Sequence, residues 1–327
     1  NTIIAAHMQR ERFSDALQLF EIMHKEGVKP DRYICSCMLK VFANMRNVEQ
    51  GKYVHDEIIR NRLESDEALW VSLIDMYAKC GKMQEANHIF HDLKEKNRVA
   101  WGALITGYAL HGDIRLAFEY FHEMQEQGVE PDETLMLCLL NTCSGSRQVR
   151  HIHRHIMQSK FDSHIDIANA LVNVYQKVGN LFEAHKVFDG IPNKDVVSWN
   201  TIISGYVECQ LNVPAFGLYE KMQKAGLESD TFTFSCMLKA CWQMVAVDQG
   251  NLIYEHIIKK GLEQDAVIKR TVIEMYAQCG SLSDAREVFL YFRPFSDASL
   301  WDAIIAANAQ YSDWKMMTDL LKKMQEE

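Results

Sequence analysis

An all-α repeat solenoid is the fold class this sequence predicts, and three observations predict it. A tryptophan-bearing segment recurs, as RVAWGALITGY, VVSWNTIISGY and ASLWDAIIAAN, with Trp101, Trp199 and Trp301 spaced 98 and 102 residues apart. Between these markers two other segments recur in a fixed order. Proline is scarce, at 5 in 327 residues, which suits helices and not a loop-rich β protein. A fixed internal period of this size is the signature of stacked supersecondary units.

The first intervening segment is CSCMLKVFAN (35–44), which returns as FSCMLKACWQ (234–243). The second is SLIDMYAKCGKMQEA (72–86), which returns as ALVNVYQKVGNLFEA and TVIEMYAQCGSLSDA. Three unit types of about 35, 35 and 31 residues therefore alternate. The shorter tryptophan spacing reflects a deletion near Ser144 to Arg150, and the longer one an extra residue near Phe295. The predicted repeats are 1–31, 32–66, 67–97, 98–132, 133–164, 165–195, 196–230, 231–265, 266–297 and 298–327, a single array over 1–327. The first lacks about four residues and the last about five, so the chain is expected to be part of a longer protein.

Each repeat reads as two helices. In two of the unit types an alanine opens the buried stripe of the second helix and an aromatic follows at i+4, which places both on one face. The pairs are Ala16/Phe20, Ala86/Phe90, Ala117/Phe121, Ala184/Phe188, Ala215/Tyr219 and Ala285/Phe289. Glycines between the helices, as at Gly81, Gly112, Gly179 and Gly280, supply left-handed helix ends. One such hairpin cannot bury its apolar face alone, whereas stacked hairpins can, as a superhelical α-solenoid of about nine to ten helix-turn-helix repeats.

The net charge of −9 argues against nucleic-acid binding through bulk charge, so any such binding needs a locally organised groove. Nine cysteines without a CxxC pair make neither a zinc site nor a disulfide framework, and fit a reducing compartment. No apolar run reaches the roughly 18 residues needed to span a bilayer, and no targeting segment is visible.

VSWNTIISGY, SCMLKAC, LIDMYAKCG and AREVF resemble the pentatricopeptide-repeat (PPR) family, in its plant-type PLS subclass of long and short alternating repeats. The W-x-x-L-G-x-x-Y pattern of the peptide-binding tetratricopeptide family does not occur. The resemblance implies a right-handed superhelical α-solenoid and a single-stranded RNA reader, one base per repeat, parallel to the chain. The fifth and last residues of each repeat would discriminate the base and the second would pack on base faces. Carried over, the recognition pairs are Asn1/Asp31, Asn169/Asp195 and Asn200/Asp230, which are uracil-like, with Ser36/Asp66 and Ser235/Asp265, which are guanine-like. Val71/Asn97, Gly102/Asp132, Leu137/His164 and Arg270/Asp297 depart from the pattern. The expected footprint is U-G-x-x-x-U-U-G-x-x. Tyr33, Val99, Val197, Phe232 and Val267 would stack on bases, and Lys79 and Lys177 would contact phosphate. Asp at a repeat end is equally an ordinary N-cap of the next helix.

The resemblance further implies a mitochondrial or chloroplast location and a role guiding RNA editing, splicing, processing or stability. An editing enzyme in trans, or other subunits of an organellar ribonucleoprotein, would be further partners. The alternative is a structural subunit of an organellar assembly such as a mitochondrial ribosome. No enzyme activity, cofactor, metal or membrane insertion is expected. His151 and His155 stand at i, i+4 but align with His55 and His256 of other repeats, so they read as packing residues. His55-Asp56-Glu57 matches the H-x-E half of a nucleic-acid deaminase without its P-C-x-x-C partner. The cysteines recur in phase, Cys80 with Cys279 and Cys143 with Cys241, as small core residues do.

Overall fold

The computed structural model describes residues 13–63, 65–159, 161, 164–292, 298–311 and 314–326. Among them are nineteen helices and no strand. They fall into two compact bodies, Asn1–Phe161 and Asp162–Glu327.

The N-terminal body begins with α1 (Phe13–Lys25), the second helix of a repeat. Four helix pairs follow: α2 (Arg32–Met45) with α3 (Val48–Arg60), α4 (Glu67–Lys79) with α5 (Met83–Asp92), α6 (Arg98–Leu110) with α7 (Ile114–Glu126), and α8 (Glu133–Thr142) with α9 (Ser146–Gln158). The C-terminal body holds α10 (Ile165–Lys177) with α11 (Leu181–Gly190), α12 (Val196–Glu208) with α13 (Asn212–Lys224), and α14 (Thr231–Gln243) with α15 (Val247–Lys259). It ends with α16 (Ala266–Gln278) and α17 (Leu282–Tyr291), then α18 (Ala298–Gln310) and α19 (Trp314–Glu326).

Within each body the first helices stack on one another, α2 on α4 on α6 on α8, and α10 on α12 on α14 on α16 on α18. Each also packs against the second helix of its own repeat. This nearest-neighbour arrangement is an α-solenoid.

The alanine–aromatic pairs form the core between pairs of helices. Ala86, Phe90, Ala117, Phe121, Ala184, Phe188, Ala215, Tyr219, Ala285 and Phe289 are all buried. Ala16 lies where the structure describes no side chain, and Phe20 is buried. The small alanine lets the next first helix approach closely. The ring four residues on then fills the space under that helix. The same economy recurs at aligned glycines: a Cβ at Gly51 or Gly250 would collide with the sulfur of Met76 or Met275 on the following first helix.

Turn chemistry sets where each first helix stops. Gly179 at φ +75° and Gly280 at φ +86° end α10 and α16 in the left-handed region. Other repeats lack that glycine: α8 ends on an extended Cys143, whereas Val245 takes the conformation at φ +53° after α14. A β-branched side chain is strained there.

Candidate nucleic-acid interface

Every first helix with a described start and an acidic or amide residue before it is capped by that residue. Asp31 Oδ1 accepts from Ile34 N at 2.9 Å, Asp66 from Ala68 N at 3.0 Å, Asn97 from Ala100 N at 3.0 Å, and Asp132 from Leu135 N at 2.9 Å. Asp195 accepts from Ser198 N and Asp230 from Thr233 N, both at 2.8 Å, and Asp265 from Val267 N at 2.9 Å. The cap satisfies an otherwise orphaned N–H at the helix start. At Asp230 the cap also sets the carboxylate beside the preceding first helix, against the fifth residue of the same repeat.

In the C-terminal body this brings Asn200 and Asp230 together. Asn200 Nδ2 donates to both Asp230 oxygens at 3.0 Å. Thr233 Oγ1 reaches Asn200 Oδ1 at 2.6 Å and lies 2.9 Å from Asp230 Oδ1. Asp230 N donates to that same hydroxyl at 3.2 Å, which closes a capping box. Asn169 occupies the matching place one repeat earlier. Its side chain is buried, and its Oδ1 finds no hydrogen-bond partner among the described residues. Asp195 instead accepts from Ser198 Oγ at 2.8 Å.

The Ser/Asp positions are arranged differently. Ser36 Oγ lies 3.2 Å from Ser72 Oγ on the next first helix, and Asp66 faces Arg32 Nη1 at 3.8 Å. Ser235 Oγ donates to the Thr231 carbonyl at 2.8 Å within its own helix. Neither serine is hydrogen-bonded to its expected aspartate, Asp66 or Asp265. Asn1 lies outside the described residues.

The second positions share one property. Tyr33, Phe232, Val267, Val197 and Val99 are 51 to 67% exposed. Apolar side chains this open stand three residues before the fifth position of their repeats and are not covered by the packing of the hairpins. Lys79 pairs with Asp75 Oδ2 at 2.9 Å, so a phosphate would compete with a carboxylate there. Lys177 is exposed and makes no ion pair among the described residues.

The histidines are built into the packing. His55 Nδ1 lies 3.0 Å from Tyr77 Oη and its ring meets Trp70 edge-on. Glu57 of the same H-x-E triplet pairs with Arg60 and accepts from Asn61. His155 uses both ring nitrogens, toward Gln125 at 2.7 Å and Ser159 at 3.1 Å, while His151 packs on His122.

Sequence reasoning passed over Ser198 and Thr233. A signal was available. The third residue of a repeat is Ile34, Leu69, Ala100, Leu135, Ile167, Ile268 or Leu300 elsewhere, and a hydroxyl only after Asn169/Asp195 and Asn200/Asp230.

A sequence model described as the PPR repeat family matches residues 1–44, 96–144 and 194–243, and one described as PPR repeat matches 68–98 and 167–196. A mitochondrial pentatricopeptide repeat-containing protein of Arabidopsis thaliana is 34% identical over 95% of this chain and 30% of its own length. A chloroplastic one from the same plant is 32% identical over 92% of this chain and 38% of its own length. The chain thus spans about a third of the length of these relatives. Among solved structures, the pentatricopeptide repeat protein PPR10 in complex with an 18-nt psaJ RNA element superposes with a TM-score of 0.70. That match covers 99% of this chain and 52% of the other at 16% identity, a likeness of fold.

Proposed function

The chain belongs to the pentatricopeptide-repeat family, and from that premise we propose that it binds single-stranded RNA in a sequence-dependent way, about one base per repeat. The observation that carries the reading is the Asn200–Asp230 pair, an amide and a carboxylate held 3.0 Å apart at a rigid helix start beside the exposed Val197 and Phe232. An amide edge and a carboxylate can satisfy the donors and acceptors of a base edge, and exposed apolar groups on either side can hold its faces.

In this reading Asn1/Asp31, Asn169/Asp195 and Asn200/Asp230 address uracil, and Ser36/Asp66 and Ser235/Asp265 address guanine. Lys79 and Lys177 meet phosphate. The alternation of unit types favours the PLS subclass. The ten repeats act as one reading array, and the chain supplies an address while any chemistry on the RNA comes from elsewhere, for example an editing enzyme in trans. The relatives named as mitochondrial and chloroplastic support an organellar setting.

Titrating the purified chain with an RNA carrying U-G-N-N-N-U-U-G, and with a scrambled strand at the same salt, tests the reading. Tighter binding of the first is expected. Equal binding of both strands would overturn it.

A second reading has its own support. The net charge of −9 and the missing pairs in several repeats suit a scaffold subunit of an organellar ribonucleoprotein. Recovery of the chain as a free monomer from its organelle would count against that role.

A further inference from the structure

Two repeats carry the same Asn/Asp letters, yet their surroundings differ, and the difference lies in a residue outside the pair. The carboxamide of Asn200 is held at both ends: Nδ2 by the two Asp230 oxygens at 3.0 Å, and Oδ1 by Thr233 Oγ1 at 2.6 Å. A threonine hydroxyl has one proton. If it served Asp230 instead, two oxygens would face each other at 2.6 Å with no proton between them. Turning the amide over would set its carbonyl against the carboxylate. Both contacts therefore favour one orientation of the amide. Thr233 is fully buried, so water does not compete for its hydroxyl. At the earlier repeat the hydroxyl of Ser198 goes to Asp195 Oδ1 at 2.8 Å, and the buried Asn169 Oδ1 is left without a partner.

We propose that Thr233 is a positioning residue for base recognition, which locks the Asn200 carboxamide and makes the repeat of Asn200/Asp230 read its base more strictly than the repeat of Asn169/Asp195. The proposal rests on the RNA-reading function above. Its physical basis is preorganisation: an amide that can present either edge loses discrimination, because a wrong base finds a matching face after a flip. Thr233 touches no base in this scheme. It acts through Asn200.

The test measures, with the whole chain, the ratio of affinities for uracil over cytosine separately at the base facing each of the two repeats. In the wild type the ratio is expected to be larger at the Asn200/Asp230 repeat. Thr233→Val removes the hydroxyl at constant shape and should lower that ratio by about 3- to 10-fold, the worth of one net hydrogen bond. The ratio at the Asn169/Asp195 repeat should stay unchanged. A purely structural role would lower affinity for all RNAs alike, or the melting temperature, without moving one ratio against the other. Discrimination in the wild type that Thr233→Val leaves intact overturns this proposal alone. A wild type that discriminates at neither repeat overturns the RNA-reading function as well.

Discussion

The indole of Trp199 meets the ring of Phe188 edge-on, with centroids 5.0 Å apart and planes at 76°. Trp101 does the same to Phe90 at 4.7 Å, and Trp301 to Phe289 at 5.0 Å. In each case the tryptophan opens one repeat and the phenylalanine closes the second helix of the repeat before it. A lysine sits over two of the three phenylalanines, Lys96 at 5.5 Å from Phe90 and Lys194 at 5.1 Å from Phe188. The same contact that fixes the repeat period in the sequence joins consecutive hairpins in space.

Phe188→Ala should therefore destabilise the C-terminal body by about 3 to 5 kcal/mol, as expected for emptying a fully packed aromatic site. Urea unfolding followed by tryptophan fluorescence reads the loss. Because contacts in a solenoid are between neighbours, hydrogen exchange should rise first in α11 and α12.

At the recognition pair, Asn200→Ala removes the amide and leaves the cap of α14 in place, since Asp230 still accepts from Thr233 N. Base preference at that repeat should fall by roughly 1 to 3 kcal/mol, the range for a good base contact. Asp230→Ala should cost stability too, because it removes the N-cap, by about 1 kcal/mol. Comparing the melting temperatures of the two variants separates reading from capping.

Val245→Gly should stabilise the chain by about 1 kcal/mol, because glycine adopts the left-handed turn without the Cβ clash. The side chain is 63% exposed, so little packing is lost. Thermal denaturation decides it: an unchanged or lower melting temperature would show the strain to be negligible.

Burial lowers the pKa of His55 below its ordinary 6.5, against a weaker opposing pull from Asp56. Burial lowers those of His155 and His151 as well. On acidification the unfolded chain then takes up these protons before the folded one does. Their contribution to stability is complete above about pH 6.5 and is lost as the pH falls through the lower, folded-state values. Urea midpoints at about pH 7.5 and about pH 5.5 should show the decline, and His55→Gln should make it shallower without abolishing it.

Much of the architecture was legible from periodicity. First helices start at Arg32, Glu67, Arg98, Glu133, Ile165, Val196, Thr231, Ala266 and Ala298, in step with the recurrence of the segments. The alanine–aromatic stripes lie in the core because a face repeated every three to four residues has one place to go in a stacked hairpin. The exposure of Tyr33 and Phe232 was less legible. Their types suggest burial, and only their phase in the repeat sets them outside.

By itself the sequence determined the unit, its order and the phase of each residue within it, since local helix geometry and N-capping depend on neighbours along the chain. It put Asn169/Asp195 and Asn200/Asp230 in the same class, because their letters and spacing are the same. Only the tertiary structure separated them. Whether a hydroxyl at the third position turns to the amide of the previous first helix or to its own cap depends on contacts between helices about thirty residues apart in sequence. Thr233 spans that gap and Ser198 does not, a choice made by the close packing of two helices.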